Sequence, residues 1–199
     1  MTSTVRRTPV QERSTGTVQQ ILKAAAGLLA KEPLDQITTS RVAQAAGVSI
    51  GGLYRFFPDK QSIIDAIAVK HVEDLRAVVE QRLGSALPED GPAFLGMVVD
   101  AYVAFLDDRP DFRAIALGRH VSASTRRKQA SPDVGPAALV KSFILESVGM
   151  DISDLDLRIR IAIEAGERLI AYAYEQESEK DRKAVIAEMK TLLAKYIFE

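Results

Sequence analysis

The chain has 199 residues, with 26 Lys and Arg against 27 Asp and Glu for a formal charge of −1, and 47% of it is hydrophobic, the balance of an ordinary globular protein. Cysteine is absent, which excludes a disulfide framework, a Cys-ligated zinc or iron–sulfur site and thiol catalysis. No apolar run approaches the about 18 residues that a bilayer demands and residues 1–16 hold no apolar core of a signal peptide, so no membrane partner is expected and the cytoplasm is the expected location.

Prolines 9, 33, 58, 88, 92, 110, 132 and 136 fall where a 3.6-residue pattern starts or stops, the places where helices tolerate them. No stretch sustains period-two alternation, so the expected fold is all-α, with about nine helices. Residues 1–16 read as a flexible basic arm. A capping box of Thr17 and Gln20 is expected to open the first helix, which buries Ile21, Leu22, Ala25, Leu28 and Leu29 before Pro33. Two short helices follow, about 39–46 and 50–56. Asp59 is a good cap for a long fourth helix to about Gly84, with Ile63, Ile64, Ile67, Val72, Leu75, Val79 and Leu83 on its apolar side.

Pro92 opens a fifth helix through Phe94, Met97, Val98, Tyr102, Phe105 and Leu106, and Pro110 a short sixth. Between Gly118 and Gly135 the periodicity lapses, predicting a loop or a frayed helix end that holds the basic run Arg126-Arg127-Lys128. A seventh helix runs from Pro136 to about Gly149. Ser153 with Asp156 and Ser178 with Asp181 predict starts for two last helices, about 153–177 and 178–197. The last is amphipathic along Val185, Met189, Leu192, Leu193 and Tyr196. Its predecessor is apolar on two sides, Leu155, Ile159, Ala162, Ile163, Leu169 and Ile170 on one and Leu157, Ile161, Ala165 and Tyr172 on the other, which one core cannot absorb.

Residues 38–57, TTSRVAQAAGVSIGGLYRFF, meet the demands of a helix-turn-helix. Ala43 is small enough to let the second helix cross the first. Four residues on, Gly47 supplies a positive-φ turn. Ser49 caps the next helix, and Val48 and Leu53 plug the space between the two. Gly51 and Gly52 each cost a helix interior about 1 kcal/mol relative to alanine. They are either a loop signal or positions where the backbone comes close to DNA. Charge agrees with a nucleic-acid partner at one end: residues 1–60 sum to +4 and the remainder to −5.

The segment TTSRVAQAAGVSIGGLYRFFPDKQSIIDAI, within residues 17–70, resembles the N-terminal domain of TetR-family transcriptional regulators. The resemblance implies phosphate contacts at Thr39, Tyr54 and Lys60, and base-reading positions at Ser40, Ser49, Ile50, Gly51, Gly52 and Arg55. Many members carry Thr where this chain has Gly52, so one hydroxyl contact is missing. The implied organisation is a DNA-binding domain over 17–62 and a C-terminal effector-binding and dimerisation domain over 63–199, dimerising through the last two helices. Interface candidates are Leu155, Ile159, Ile163, Ile170, Met189, Leu192, Leu193 and Tyr196.

Candidates for an apolar effector site are Phe94, Met97, Val98, Tyr102, Phe105, Phe112 and Phe143, with Ile115 and Ile144 beside them, though aromatic stripes at helical spacing also simply pack. Arg113, His120, Glu164, Arg168 and Tyr172 are polar candidates that interface salt bridging competes for. His71 and His120 form no i, i+4 pair and read as helix-face histidines, so neither metal nor cofactor is expected. Arg126-Arg127-Lys128 reads as a solvated run. The arm with Arg6, Arg7 and Arg13 is either a disordered tail or a minor-groove contact. Gly47-Val48-Ser49-Ile50-Gly51 mimics a nucleophile elbow but lacks the preceding strand, and no catalytic spacing occurs, so no enzyme is expected. The expected protein is a homodimeric, ligand-responsive repressor of a palindromic operator. The alternatives are a DNA-binding factor without an effector, or an activator.

Overall fold

The computed structural model describes residues 9–148 and 154–199, and these are all helical or connecting, with no strand. Helices α1 (Pro9–Leu29), α2 (Thr39–Ala46), α3 (Ile50–Tyr54) and α4 (Lys60–Ser85) are followed by α5 (Gly91–Asp108), α6 (Pro110–Leu117) and α7 (Ala123–Gln129). Then come α8 (Gly135–Phe143), continued by a π-helical turn over Ile144–Val148, α9 (Leu155–Tyr174) and α10 (Glu179–Phe198). A 3₁₀ turn, Leu34–Gln36, joins α1 to α2. Arg6, Arg7, Gly149 and Ser153 lie outside the described residues.

Two features differ from expectation. Helix α1 begins at Pro9, so Thr17 sits inside it and residues 9–16 are helix rather than arm. Proline at a first helical position forfeits no hydrogen bond, and the residues that follow tolerate a helix well enough to extend it upstream of the capping signal. The stretch expected as a loop contains α7, which brings the described helices to ten. No periodicity announces it because α7 buries none of its side chains. It forms through its N-terminus: Ser122 Oγ accepts from Thr125 N at 3.3 Å, while Asp65 of α4 accepts from Ser122 N at 2.9 Å, from Thr125 Oγ1 at 2.8 Å and from Ser122 Oγ. Asp65 thus serves as a cap borrowed from another helix.

The other caps follow the sequence. Thr38 Oγ1 accepts from Arg41 N and Ser49 Oγ from Gly52 N. Asp59 and Ser62 complete a capping box at the head of α4, and Ser178 accepts from Asp181 N at α10. Gly47 takes φ +68° between α2 and α3, a conformation costly to any residue with a Cβ.

Two hydrophobic cores form. The first joins Ile21, Leu22, Ala25 and Leu29 of α1, Val42 and Ala43 of α2, Leu53 of α3 and Ile63, Ile64, Ile67 and Ala68 of α4, and it also takes in Ile115 of α6. The second is built from α4 beyond Leu75 and from α5, α6, α8, α9 and α10, with Phe94 stacked on Phe143 at 4.2 Å between centroids. Helix α4 therefore lies in both, and the first core reaches past residue 62 along it. His71 stands near the junction and is buried rather than facing solvent. Its Nε2 is 2.8 Å from Asp111 Oδ2, its ring packs on Phe105 and Phe112, and its Nδ1 is buried without a partner among the described residues.

Partial burial pushes the Asp65 carboxyl up, but hydrogen bonds from Ser122, Gln61 and Thr125 outweigh it and hold the group below the usual carboxylate range. A depressed folded-state pKa contributes stability fully above the unfolded value of about 4 and loses it as pH falls through the folded value. Asp65→Ala is expected to cost about 1–3 kcal/mol at neutral pH by stranding three donors of the α7 turn. Urea denaturation should show the gap between variant and parent shrinking below about pH 4.

Candidate nucleic-acid interface and helical-domain cavity

The outer surface of α2 and α3 carries the expected DNA-facing residues together. Ser40, Ser49, Ile50, Gly51, Tyr54 and Arg55 are exposed, and Thr39, Gly52 and Lys60 are half-buried beside them. Thr39 Oγ1 and the Tyr54 hydroxyl lie 3.0 Å apart and orient one another. Lys60 Nζ donates to Leu34 O at 3.0 Å, which holds the cation against the turn before α2. Arg41, which the sequence reading did not single out, is tied inward by Glu32 and by Gln36 O. Arg55 lies over the Phe56 ring at 5.8 Å.

The two glycines now separate. A Cβ at Gly51 would meet nothing within 4 Å, and one at Gly52 only the Ser49 hydroxyl, at 3.0 Å. Both sit in regular helix capped by Ser49, so the loop reading fails. Nothing inside the protein requires glycine at 51.

The C-terminal half contains a cavity of about 210 Å³ that is partly open to solvent. It lies between α4 and α10, with Val72 and Leu75 at one side and Met189, Leu193 and Ile197 at the other. Of the expected effector residues, Val98, Tyr102 and Phe112 line it. The others do not, for separate reasons. Phe94 and Phe105 are used up in the core, Phe143 is stacked on Phe94, and Ile115 and Ile144 are fully buried elsewhere. Met97 turns toward Val78 and Arg82 instead. Arg113 faces Asp107 at 3.8 Å, Arg168 pairs with Glu175 at 3.0 Å, and Tyr172 is exposed on α9. His120 is exposed, with its carbonyl accepting from Gln61 Nε2 at 2.7 Å. Glu164 pairs with Arg119 at 3.6 Å.

Four polar residues line the cavity that the sequence reading had not placed there: Arg119, Arg126, Gln129 and Glu167. Arg126 looked like part of a solvated run because the run was read without α7, which turns Arg126 and Gln129 inward and leaves Arg127 and Lys128 exposed. Glu167 lies three residues after Glu164, one turn along α9; periodicity alone did not choose between them. Burial pushes the Glu167 carboxyl above the usual range, nearby Glu164 adds to this, and Arg119 and Arg126 pull it back. Burial also raises the Tyr102 hydroxyl, with Glu167 contributing.

The interface candidates divide by helix face. Leu155, Ile159, Ile170, Met189 and Leu193 are buried in the protomer's own core, and Ile163 lines the cavity, so these six do not form an outer surface. The α9 side packed on α10 and the cavity consumes them. Leu192 and Tyr196 stay exposed, joined by Leu157, Ile161 and Tyr172 from the other side of α9. Among the described residues no cluster of His, Asp or Glu suits a metal ion, and no helix is long and apolar enough to cross a membrane.

Residues 21–67 match the family model described as bacterial regulatory proteins, tetR family, and residues 89–199 match the tetracyclin repressor-like C-terminal domain. Among curated proteins, the nucleoid occlusion factor SlmA of Haemophilus ducreyi is 39% identical over 62 residues, 31% of each chain, and that of Alteromonas mediterranea 26% identical over 120 residues, 59% of this chain and 60% of the relative. The match thus spans about a third of the first of these relatives. A TetR-family transcriptional regulator from Streptomyces coelicolor superposes with a TM-score of 0.70 at 28% identity, covering 91% of this chain and 97% of that one. RolR in complex with its ligand resorcinol shares the fold at a TM-score of 0.68 and 19% identity, covering 94% of both chains. The two family matches together account for most of the sequence, and the chain belongs to the TetR family of bacterial DNA-binding regulators.

Proposed function

We propose that the protein is a homodimeric transcriptional repressor that leaves a palindromic operator when a small, mainly apolar effector fills the cavity. The carrying observation is that cavity: about 210 Å³ within the helical half, walled in part by α4, the helix whose first turn holds Lys60. A ligand that occupies such a pocket in the folded state stabilises that state by mass action.

On the DNA side, the α3 N-terminus enters the major groove with Ser49, Ile50, Gly51, Gly52 and Arg55 toward base edges and Ser40 beside them. Thr39, Tyr54 and Lys60 hold phosphate. The bare backbone at Gly51 allows an approach that a side chain would block. Two heads related by a two-fold axis read the two half-sites. The exposed apolar stripe of Leu157, Ile161, Tyr172, Leu192 and Tyr196 on α9 and α10, from 37% exposed at Tyr196 to 54% at Leu192, supports dimerisation through these helices.

Two links support transmission from cavity to DNA. Helix α6 sets Phe112 in the cavity wall and Ile115, one turn later, in the core of the reading head. Helix α7 sets Arg126 and Gln129 in the cavity wall while its first turn is bound to Asp65, barely more than one turn from Lys60 on α4. An occupant that displaces α6 or α7 tilts α4, and a coupling of about 3 kcal/mol lowers operator occupancy on the order of a hundredfold. The nucleoid occlusion factor relatives favour a second reading, a DNA-binding factor without an effector; in that case the cavity has no ligand.

Gly51→Ala is expected to raise stability by about 0.5–1 kcal/mol and to weaken operator binding about tenfold or more; unchanged gel-shift affinity overturns the close approach. Tyr54→Phe with Lys60→Ala should weaken binding to all sequences alike and flatten its salt dependence. Leu157→Glu with Leu192→Glu should sediment as a monomer, and a persistent dimer refutes the stripe as the interface. For the effector, a thermal-shift screen of apolar metabolites should yield compounds that also release operator. Val98→Trp, which fills the cavity, should abolish both effects and still bind DNA. Asp65→Asn should keep the thermal shift and lose much of the release.

A further inference from the structure

The cavity wall is aliphatic along most of its length, from Val72 on α4 to Ile197 on α10. Its polar groups gather in one region where α7, the end of α6 and α9 meet. Arg119 and Glu164 neutralise each other at 3.6 Å. The side chains of Arg126, half-buried, and Glu167, exposed at the cavity mouth, also line this region, and neither side chain makes a hydrogen bond or ion pair among the described residues. Their charges are nonetheless felt across the gap, since Arg126 and Arg119 both act on the Glu167 carboxyl. Gln129 adds an amide whose Nε2 is buried and unpartnered, and Tyr102 brings a hydroxyl close enough to sense Glu167.

Formal charge in this region therefore sums to zero, with donors and acceptors both left over. A carboxylate placed there gains Arg126 but faces Glu167, and an ammonium gains Glu167 but faces Arg126. Either ion also gives up part of its hydration at this partly open site, which offers no net countercharge, a loss that a neutral polar group largely avoids. A neutral hydroxyl or amide donates to Glu167 and accepts from Arg126 or Gln129 without that penalty.

We infer that, on the effector reading above, the ligand is an uncharged amphiphile: an aliphatic body lying toward α10 and a neutral head that both donates and accepts between Arg126, Gln129 and Glu167. Selection comes from the balance of the two unpaired charges, so removing either one converts the head-group preference.

Three probes with one eight-carbon body test this: octan-1-ol, octanoate and octylamine, titrated below their aggregation limits into the full-length dimer or monomer as isolated, with affinity read by calorimetry. The wild-type protein is expected to bind octan-1-ol about tenfold or more tighter than either ion. Glu167→Gln should move the preference toward octanoate, and Arg126→Gln toward octylamine, each by about tenfold. Val98→Trp should remove binding of all three. An ion bound tightest by the wild-type protein, equal binding of the three, a ranking unmoved by both charge substitutions, binding that survives Val98→Trp, or no binding of any probe each overturns the neutral-amphiphile assignment. The effector reading is judged separately by the metabolite screen and operator release: a charged compound that binds the cavity and frees DNA leaves that reading standing while this one falls. Circular dichroism of Glu167→Gln and Arg126→Gln should match the parent, since both groups are without partners in the fold.

Discussion

Helix α4 belongs to two hydrophobic cores, and most of the architecture follows from that constraint. Ile63, Ile64, Ile67 and Ala68 are fixed among α1, α2 and α3, while Leu75 and Val79 are fixed among α5 and the helices beyond. A rod packed at both ends cannot adjust at one without transmitting strain to the other, because close-packed side chains exchange between discrete arrangements rather than deform smoothly. His71 reinforces the junction. Its Nε2 bond to Asp111 joins α4 to the first turn of α6, and burial of the pair makes the loss of either partner costly.

The lateral ties matter as much as the rod. Helix α6 contributes Phe112 to one side of the molecule and Ile115 to the other, so an eight-residue helix spans both cores. Helix α7 is held by a single carboxylate on α4. Around the cavity these ties bring residues from distant parts of the chain together: Tyr102 from α5, Arg126 and Gln129 from α7 and Glu167 from α9. No short motif could encode such a set.

What the sequence disclosed depended on how local each cause was. The helix-turn-helix was legible, apart from the end of α3 at Tyr54 instead of about residue 56, because Ala43, Gly47, Ser49 and Leu53 each lie within about one turn of the next and their spacing is the cause of the geometry. Caps at Asp59 and Ser178 were legible for the same reason. Helix α7 was invisible because its stabilising acceptor, Asp65, lies 57 residues from Ser122. The sides of α9 were visible as two apolar stripes, yet which stripe faced inward was not: Leu155, Ile159 and Ile170 are as apolar as Leu157 and Ile161, and only the position of α10 distinguishes them. Of the aromatic candidates, Phe94, Phe105 and Phe143 fill the core while Tyr102 and Phe112 reach the cavity, whose lining is otherwise mainly aliphatic.

Helix α7 has a dynamic consequence. None of its seven residues is fully buried, so its opening breaks chiefly the few bonds to Asp65. Such a segment samples open states at far lower cost than global unfolding. The wall of the cavity thus includes a segment whose opening leaves both cores intact. The shape of that part of the wall therefore depends on how firmly one aspartate holds one helical turn.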